Sequence, residues 1–130
     1  MLTSSFFSYF GPGRIAISRS VPKRLIAGYR HYMPLAPGDF FGTTTDYETF
    51  RSLYHQQLDK LDPTRIIADL HRLVVPAEPV LLCWCNLQAG SWCHRRMFAE
   101  WIGEQTGVEM KELTSRGIPV LGQSLQLRLL

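Results

Sequence analysis

The spacing of apolar and polar residues divides the chain into short strands and amphipathic helices. Tyr47, Phe50, Tyr54, Leu58 and Leu61 recur at three- and four-residue intervals. That spacing is one stripe of a helix, and Asp46 stands where its N-cap belongs. Asp62-Pro63 predicts a second helix start, with aspartate as cap and proline at the first helical position. Its buried stripe is Ile66, Ile67, Leu70 and Leu73. Residues 80–85 form a short apolar run between turn signals, the pattern of a central strand buried on both faces. Helix signals resume near Cys93. Met97, Phe98, Trp101 and Ile102 make the inward face there, and Gly107 is a natural C-terminal cap.

The flanking regions read less regularly. Residues 2–10 are rich in aromatic and hydroxyl side chains, as strands often are. Gly11-Pro12-Gly13 predicts a turn, and residues 14–18 a second strand. Residues 21–45 carry three prolines and three glycines and read as a long irregular segment, a kind of loop that often carries function. Residues 108–113 predict another strand, and the alternation of Leu125, Leu127 and Leu129 a last edge strand. This order is that of an α/β protein. The expectation is a single three-layer domain over residues 1–130, with a small, mostly parallel sheet flanked by helices.

Composition narrows the class. Hydrophobic residues make up 45% and charged residues 19% of the 130 residues, ordinary for a folded domain and unlike a disordered one. No apolar run approaches the roughly 20 residues of a membrane span. The first ten residues lack the charged and apolar regions of a secretion signal. Together with three cysteines, an odd number, this predicts reduced thiols in a cytoplasmic protein. The net charge of +3 is uneven, with Arg14, Arg19, Lys23, Arg24 and Arg30 against Asp39 alone in the first 45 residues. Such a bias favours an anionic partner.

The chemistry concentrates in "VLLCWCNLQAGSWCHRRMFAEWI", residues 80–102, which hold all three cysteines. A strand that turns into a helix start offers unpaired N–H groups and a partial positive charge. Cys93, His94, Arg95 and Arg96 open that helix. There the field favours a Cys93 thiolate, His94 can exchange a proton beside it, and Arg95 can grip phosphate or carboxylate with two bonds. The competing readings are plain. Cys93 also begins the stripe continued by Met97 and Trp101, so it is either a reactive thiol or a small buried hydrophobe. Arg96 has Glu100 four residues on as a surface partner, whereas Arg95 has no such neighbour. On a helix, His94 would point about 100° away from Cys93. Zinc is a third reading of Cys83, Cys85, Cys93 and His94. An extended strand spaces Cys83 and Cys85 roughly 6.5–7 Å apart, adjacent Cys93 and His94 are awkward co-ligands, and the spacing matches no common zinc pattern. The expectation is therefore no metal and no cofactor.

The strand ending Leu81-Leu82-Cys83, the later Cys93-His94-Arg95 and the following Ala99-Glu100-Trp101-Ile102 resemble the domain of unknown function family 488. "ISRSVP" (residues 17–22), "YMPLAP" (32–37) and "LDP" (61–63) resemble further segments of that family in the same order. The resemblance covers about residues 3–113 and leaves a C-terminal extension, 118–130, outside it. It implies a small α/β domain with no settled reaction. The positions matching the family pattern are Ser18, Arg19, Cys83, Cys93, His94 and Arg95. Cys85 stands where many relatives have an acidic residue. The link at Gly11-Pro12-Gly13 is shorter than in longer relatives, which leaves the direction of the first strand open.

Ligands of open α/β sheets bind beyond the carboxyl ends of the strands, where Ser18, Arg19 and Cys85 are expected. The leading expectation is a thiol-dependent enzyme binding a small phosphorylated or nucleotide-like anion. Cys93 would be its nucleophile, His94 its proton shuttle, and Ser18, Arg19, Arg95 and Cys85 its ligand-binding residues. The alternative is a non-catalytic module that binds nucleic acid or a partner protein through the basic, aromatic first third. Neither reading involves a membrane.

Overall fold

A computed structural model describes residues 1–44, 46–84 and 93–113. The expected edge strand at 125–129 and the site residue Cys85 lie outside the described residues. The elements in order are β1 (Leu2–Ser5), β2 (Arg14–Ala16), β3 (Arg30–His31), two short 3-10 turns, α1 (Tyr47–Leu58), α2 (Pro63–Val74), β4 (Val80–Cys83), α3 (His94–Thr106) and β5 (Lys111–Glu112). The protein is a small α/β domain. Its five-stranded sheet runs β3-β2-β4-β1-β5 and every pairing is parallel. The direction of β1, open in the sequence, is thereby set: Leu2 pairs with Val80 and Ser5 with Cys83, parallel to β4. Among the described residues no helix is long and apolar enough to cross a membrane.

β4 holds the middle of the sheet, and all four of its residues are buried. A parallel strand covered on both faces needs that continuous apolar run. Its side chains alternate between two cores. Leu81 joins Ile15, Ile17 and the inward faces of α1, α2 and α3. Val80 and Leu82 join Ala16, Phe6 and Leu113, packed against Val21, Leu25 and Tyr29.

The two faces follow from the order of travel. The chain goes from β1 to β2 to β3 in one direction across the sheet, then back through β4 to β5. Right-handed crossovers between parallel strands put opposite directions of travel on opposite faces. The return path carries the helices. The outward path carries only the segments 6–13 and 17–29. The expected flanking helices are thus met on one face, and among the described residues the other face is covered by these loops. β3 was not foreseen within the irregular segment, because two exposed residues are too few to show an alternation.

Local chemistry accounts for the helix ends. Asp46 accepts a hydrogen bond from the Thr49 amide, and Asp62 from those of Thr64 and Arg65, with Pro63 at the first helical position. Gly107 ends α3 at φ 79°, where a side chain would be strained. Gly13, at φ 87°, lets the turn before β2 pass against the Glu78 carbonyl, with which a Cβ would collide.

Candidate functional site

At the carboxyl end of the sheet, β4 ends on Cys83 and α3 begins after Cys93. Cys93 is the N-cap, and its backbone is extended (φ −151°, ψ 146°). Its side chain makes no capping bond and is turned to Cys83, with the two sulfurs bonded and the Cα atoms 7.9 Å apart. Both residues are buried, with 1% and 2% exposure. This pairing departs from the reading of three reduced thiols. The burial also bears on the expected reactivity of Cys93, since a thiol at 2% exposure meets a reagent only after local opening.

His94 follows at the first helical position and is buried as well. Its Nε2 lies 2.6 Å from the Ile17 carbonyl oxygen. A carbonyl only accepts, so Nε2 carries the proton and Nδ1 presents its lone pair. Nδ1 lies 3.8 Å from Cys93 Sγ. Burial pulls the imidazole pKa down to about 4; the bond to Ile17 opposes this, and the Arg95 charge adds to it. The ring is therefore neutral at physiological pH. Its edge packs against Tyr54, ring centres 5.6 Å apart. The 100° separation expected of Cys93 and His94 does not arise, because an extended N-cap does not follow the helical turn.

Among the described residues, Arg95 is the largest fully buried side chain. Its Nη1 lies 2.9 Å from Cys83 Sγ and 3.6 Å from Cys93 Sγ. The other side of the guanidinium grips Glu112 on β5 with two bonds, Nε to Oε1 at 3.1 Å and Nη2 to Oε2 at 2.7 Å. Thr3 Oγ1 donates to the same carboxylate at 2.6 Å. Arg96 Nη1 in turn donates to Thr3 Oγ1 and to the Met110 carbonyl, at 2.8 and 3.0 Å. A continuous polar network thus runs from the sulfurs across β1 to β5 beneath α3. Burial lowers the Arg96 pKa from its usual value. Glu100, the sequence partner of Arg96, pairs instead with Arg51 of α1.

The structure brings Cys83, Cys93, His94 and Arg95 together, with Ile17 at the end of β2. Ser18 is buried beside them and donates its hydroxyl to the Ser20 carbonyl, which also accepts from the Trp84 indole at 2.8 Å. Arg19 is exposed and donates to the Gly38 carbonyl at 2.8 Å. It turns toward the loop after β3, whereas Arg95 turns toward β5 at the opposite edge. The two arginines therefore do not form one anion clamp, and Arg95 already holds a carboxylate. In the basic first third, Arg14 is buried and its guanidinium binds the carbonyls of Gly11, Ile26 and Ala27, a structural role that removes it from any basic surface.

Glu112 and Thr3 are the members of the site that sequence reasoning did not single out, and Arg96, read there as a surface partner of Glu100, belongs to it as well. One signal for Glu112 was present. Met110 faces the helices, and Glu112 shares its side of the strand by alternation, so an acidic side chain there needs a buried cation. Comparisons with family models, with curated proteins and with solved structures find no match to this chain, and the functional reading rests on the geometry above.

Proposed function

We propose that the Cys83–Cys93 pair is the working centre of a thiol-dependent protein and alternates between a dithiol and a disulfide. The observation that carries this is a guanidinium held within hydrogen-bonding reach of two bonded sulfurs. A fixed cation favours thiolate over thiol, and the thiolate is both the attacking and the leaving species in thiol–disulfide exchange. Glu112 and Thr3 keep the guanidinium in place.

Oxidation by a low-molecular-weight disulfide, RSSR, balances as follows. The Cys93 thiolate attacks one sulfur of RSSR, forms a mixed disulfide and expels one thiolate. The Cys83 thiolate then attacks the Cys93 sulfur and expels the second. Two electrons pass to RSSR, and the two protein thiol protons leave with the two RSH molecules. Cys93 is the attacking residue because it stands at the N-terminus of α3 and faces His94 Nδ1, which accepts an S–H hydrogen bond and orients the thiol. Cys83, at the end of a buried strand, resolves the intermediate. The burial of both sulfurs favours small reagents over the disulfides of folded proteins.

Equilibration of the protein in glutathione redox buffers, followed by peptide mapping without reduction, tests the reading. A Cys83–Cys93 linked peptide should appear and its fraction should follow the buffer with two-electron dependence. Replacing Arg95 by lysine, which keeps a charge but loses the fork, should shift the midpoint. Absence of the linked peptide at every buffer ratio refutes the proposal.

A further inference from the structure

We propose that the dithiol form of this centre binds one zinc ion through Cys83 Sγ, Cys93 Sγ and His94 Nδ1, and that disulfide formation and metal binding exclude one another. The inference rests on the pair having a dithiol state, as argued above. Among the described residues, these three ligand atoms lie within 4.8 Å of one another and all three residues are buried. Thiolate and imidazole are the donors that zinc prefers.

The orientation of His94 is an independent observation. Metal-bound histidines hand their second ring N–H to a backbone carbonyl or carboxylate, which fixes the tautomer and frees the other nitrogen. The Ile17 carbonyl does this at Nε2, at 2.6 Å. The nitrogen left with a lone pair is the one that faces Cys93 Sγ.

Charge favours the same ion. Two buried thiolates are costly without compensation. Zinc brings two positive charges, and Arg95 and Glu112 cancel each other, so the loaded centre is neutral. A monovalent metal would leave it negative. Binding to the dithiol releases two protons as the thiolates form. One of the three objections to zinc in the sequence is that adjacent Cys93 and His94 are awkward co-ligands. The extended N-cap removes that objection.

Cobalt(II) titration of the full-length protein tests the site, since tetrahedral cobalt–thiolate centres absorb strongly. Protein reduced with a phosphine should gain a thiolate-to-cobalt charge-transfer band that saturates at one equivalent and is abolished by zinc. The disulfide form, which has the same sequence and fold, should gain none. His94→Ala should weaken binding roughly tenfold or more. Reduced protein that shows two free thiols at these positions but no such band overturns the metal site and leaves the redox reading standing. A band in protein that never forms the Cys83–Cys93 link sinks the redox reading and keeps the metal site. An undiminished band in the disulfide form, or in a folded Cys93→Ser variant, means that other residues bind the ion and refutes the proposal.

Discussion

The three long helices begin in two ways. α1 and α2 begin on aspartates whose carboxylates take the first free amides. α3 begins on a cysteine that makes no side-chain cap and reaches instead for another sulfur. An ordinary cap is worth about 1 kcal/mol, so the start of α3 forgoes a stabilisation that its neighbours keep. Local rules are broken mostly where something other than stability is served. The same contrast holds for the first turns. Arg65 of α2 is exposed, with Asp69 at 3.9 Å, while Arg95 of α3 is buried against a carboxylate and two sulfurs.

The largest effect should come from breaking the buried pair. Arg95→Met or Glu112→Ala strands a charge in the interior and should cost about 3–5 kcal/mol in urea unfolding. A loss below about 1 kcal/mol would make this start equivalent to an exposed one.

Acid should separate the two kinds of start next. The folded-state pKa of His94 is lowered to about 4 from an ordinary value of about 6.5, so folding favours the neutral ring. Its contribution is complete above pH 6.5 and is lost as pH falls from there toward 4, up to roughly 3 kcal/mol at about 1.4 kcal/mol per unit. Unfolding curves across this window should flatten in His94→Gln. The caps of α1 behave otherwise, because Asp46 is held below the usual carboxylate range by the Thr49 amide and hydroxyl. Its contribution is lost only at lower pH. A steep pH 4–6.5 dependence that survives in His94→Gln would assign the window to another group.

Smaller effects sharpen the comparison from the side of α2. Asp62→Ala should lose about 1 kcal/mol by thermal or urea unfolding, without change in the oxidation state of Cys83 and Cys93. Arg65→Ala should stay within about 0.5 kcal/mol, since its pair with Asp69 is exposed on the arginine side. A loss of several kcal/mol at Arg65 would erase the distinction.

What could be read from the sequence was local. The stripes of α1, α2 and α3, the two aspartate caps, the Gly107 stop and the buried run of β4 each lie within a few residues, and the structure carries them in the main; Tyr47 is exposed, Leu61 lies past the end of α1, and Ile67 and Leu73 are only partly buried. What could not be read was pairing at a distance. The direction of β1 depends on its register with β4, some 78 residues on. The role of Arg95 depends on Glu112, 17 residues away across the sheet. The relation of Cys93 to His94 turned on one residue of helix boundary. With Cys93 outside the helix, side chains expected to diverge come within 3.8 Å.

The central position of β4 has a consequence for the order of folding. Its two neighbours come from the first 16 residues of the chain, while β4 itself begins at residue 80. Among the described residues only β2 and β3 pair over a short stretch, Ile15 with Arg30, and the middle of the sheet closes only after a loop of more than 60 residues has been brought together, at an entropic cost that rises with loop length. Chains dominated by such remote pairings fold slowly, on the order of milliseconds to seconds. Helical turns can form early from local contacts; the middle of the sheet cannot. Until β4 is seated between β1 and β2, Cys83 has no fixed place, and neither does Ile17, which bonds Leu82 and aligns His94. The sulfur centre is therefore among the last parts of the molecule to exist.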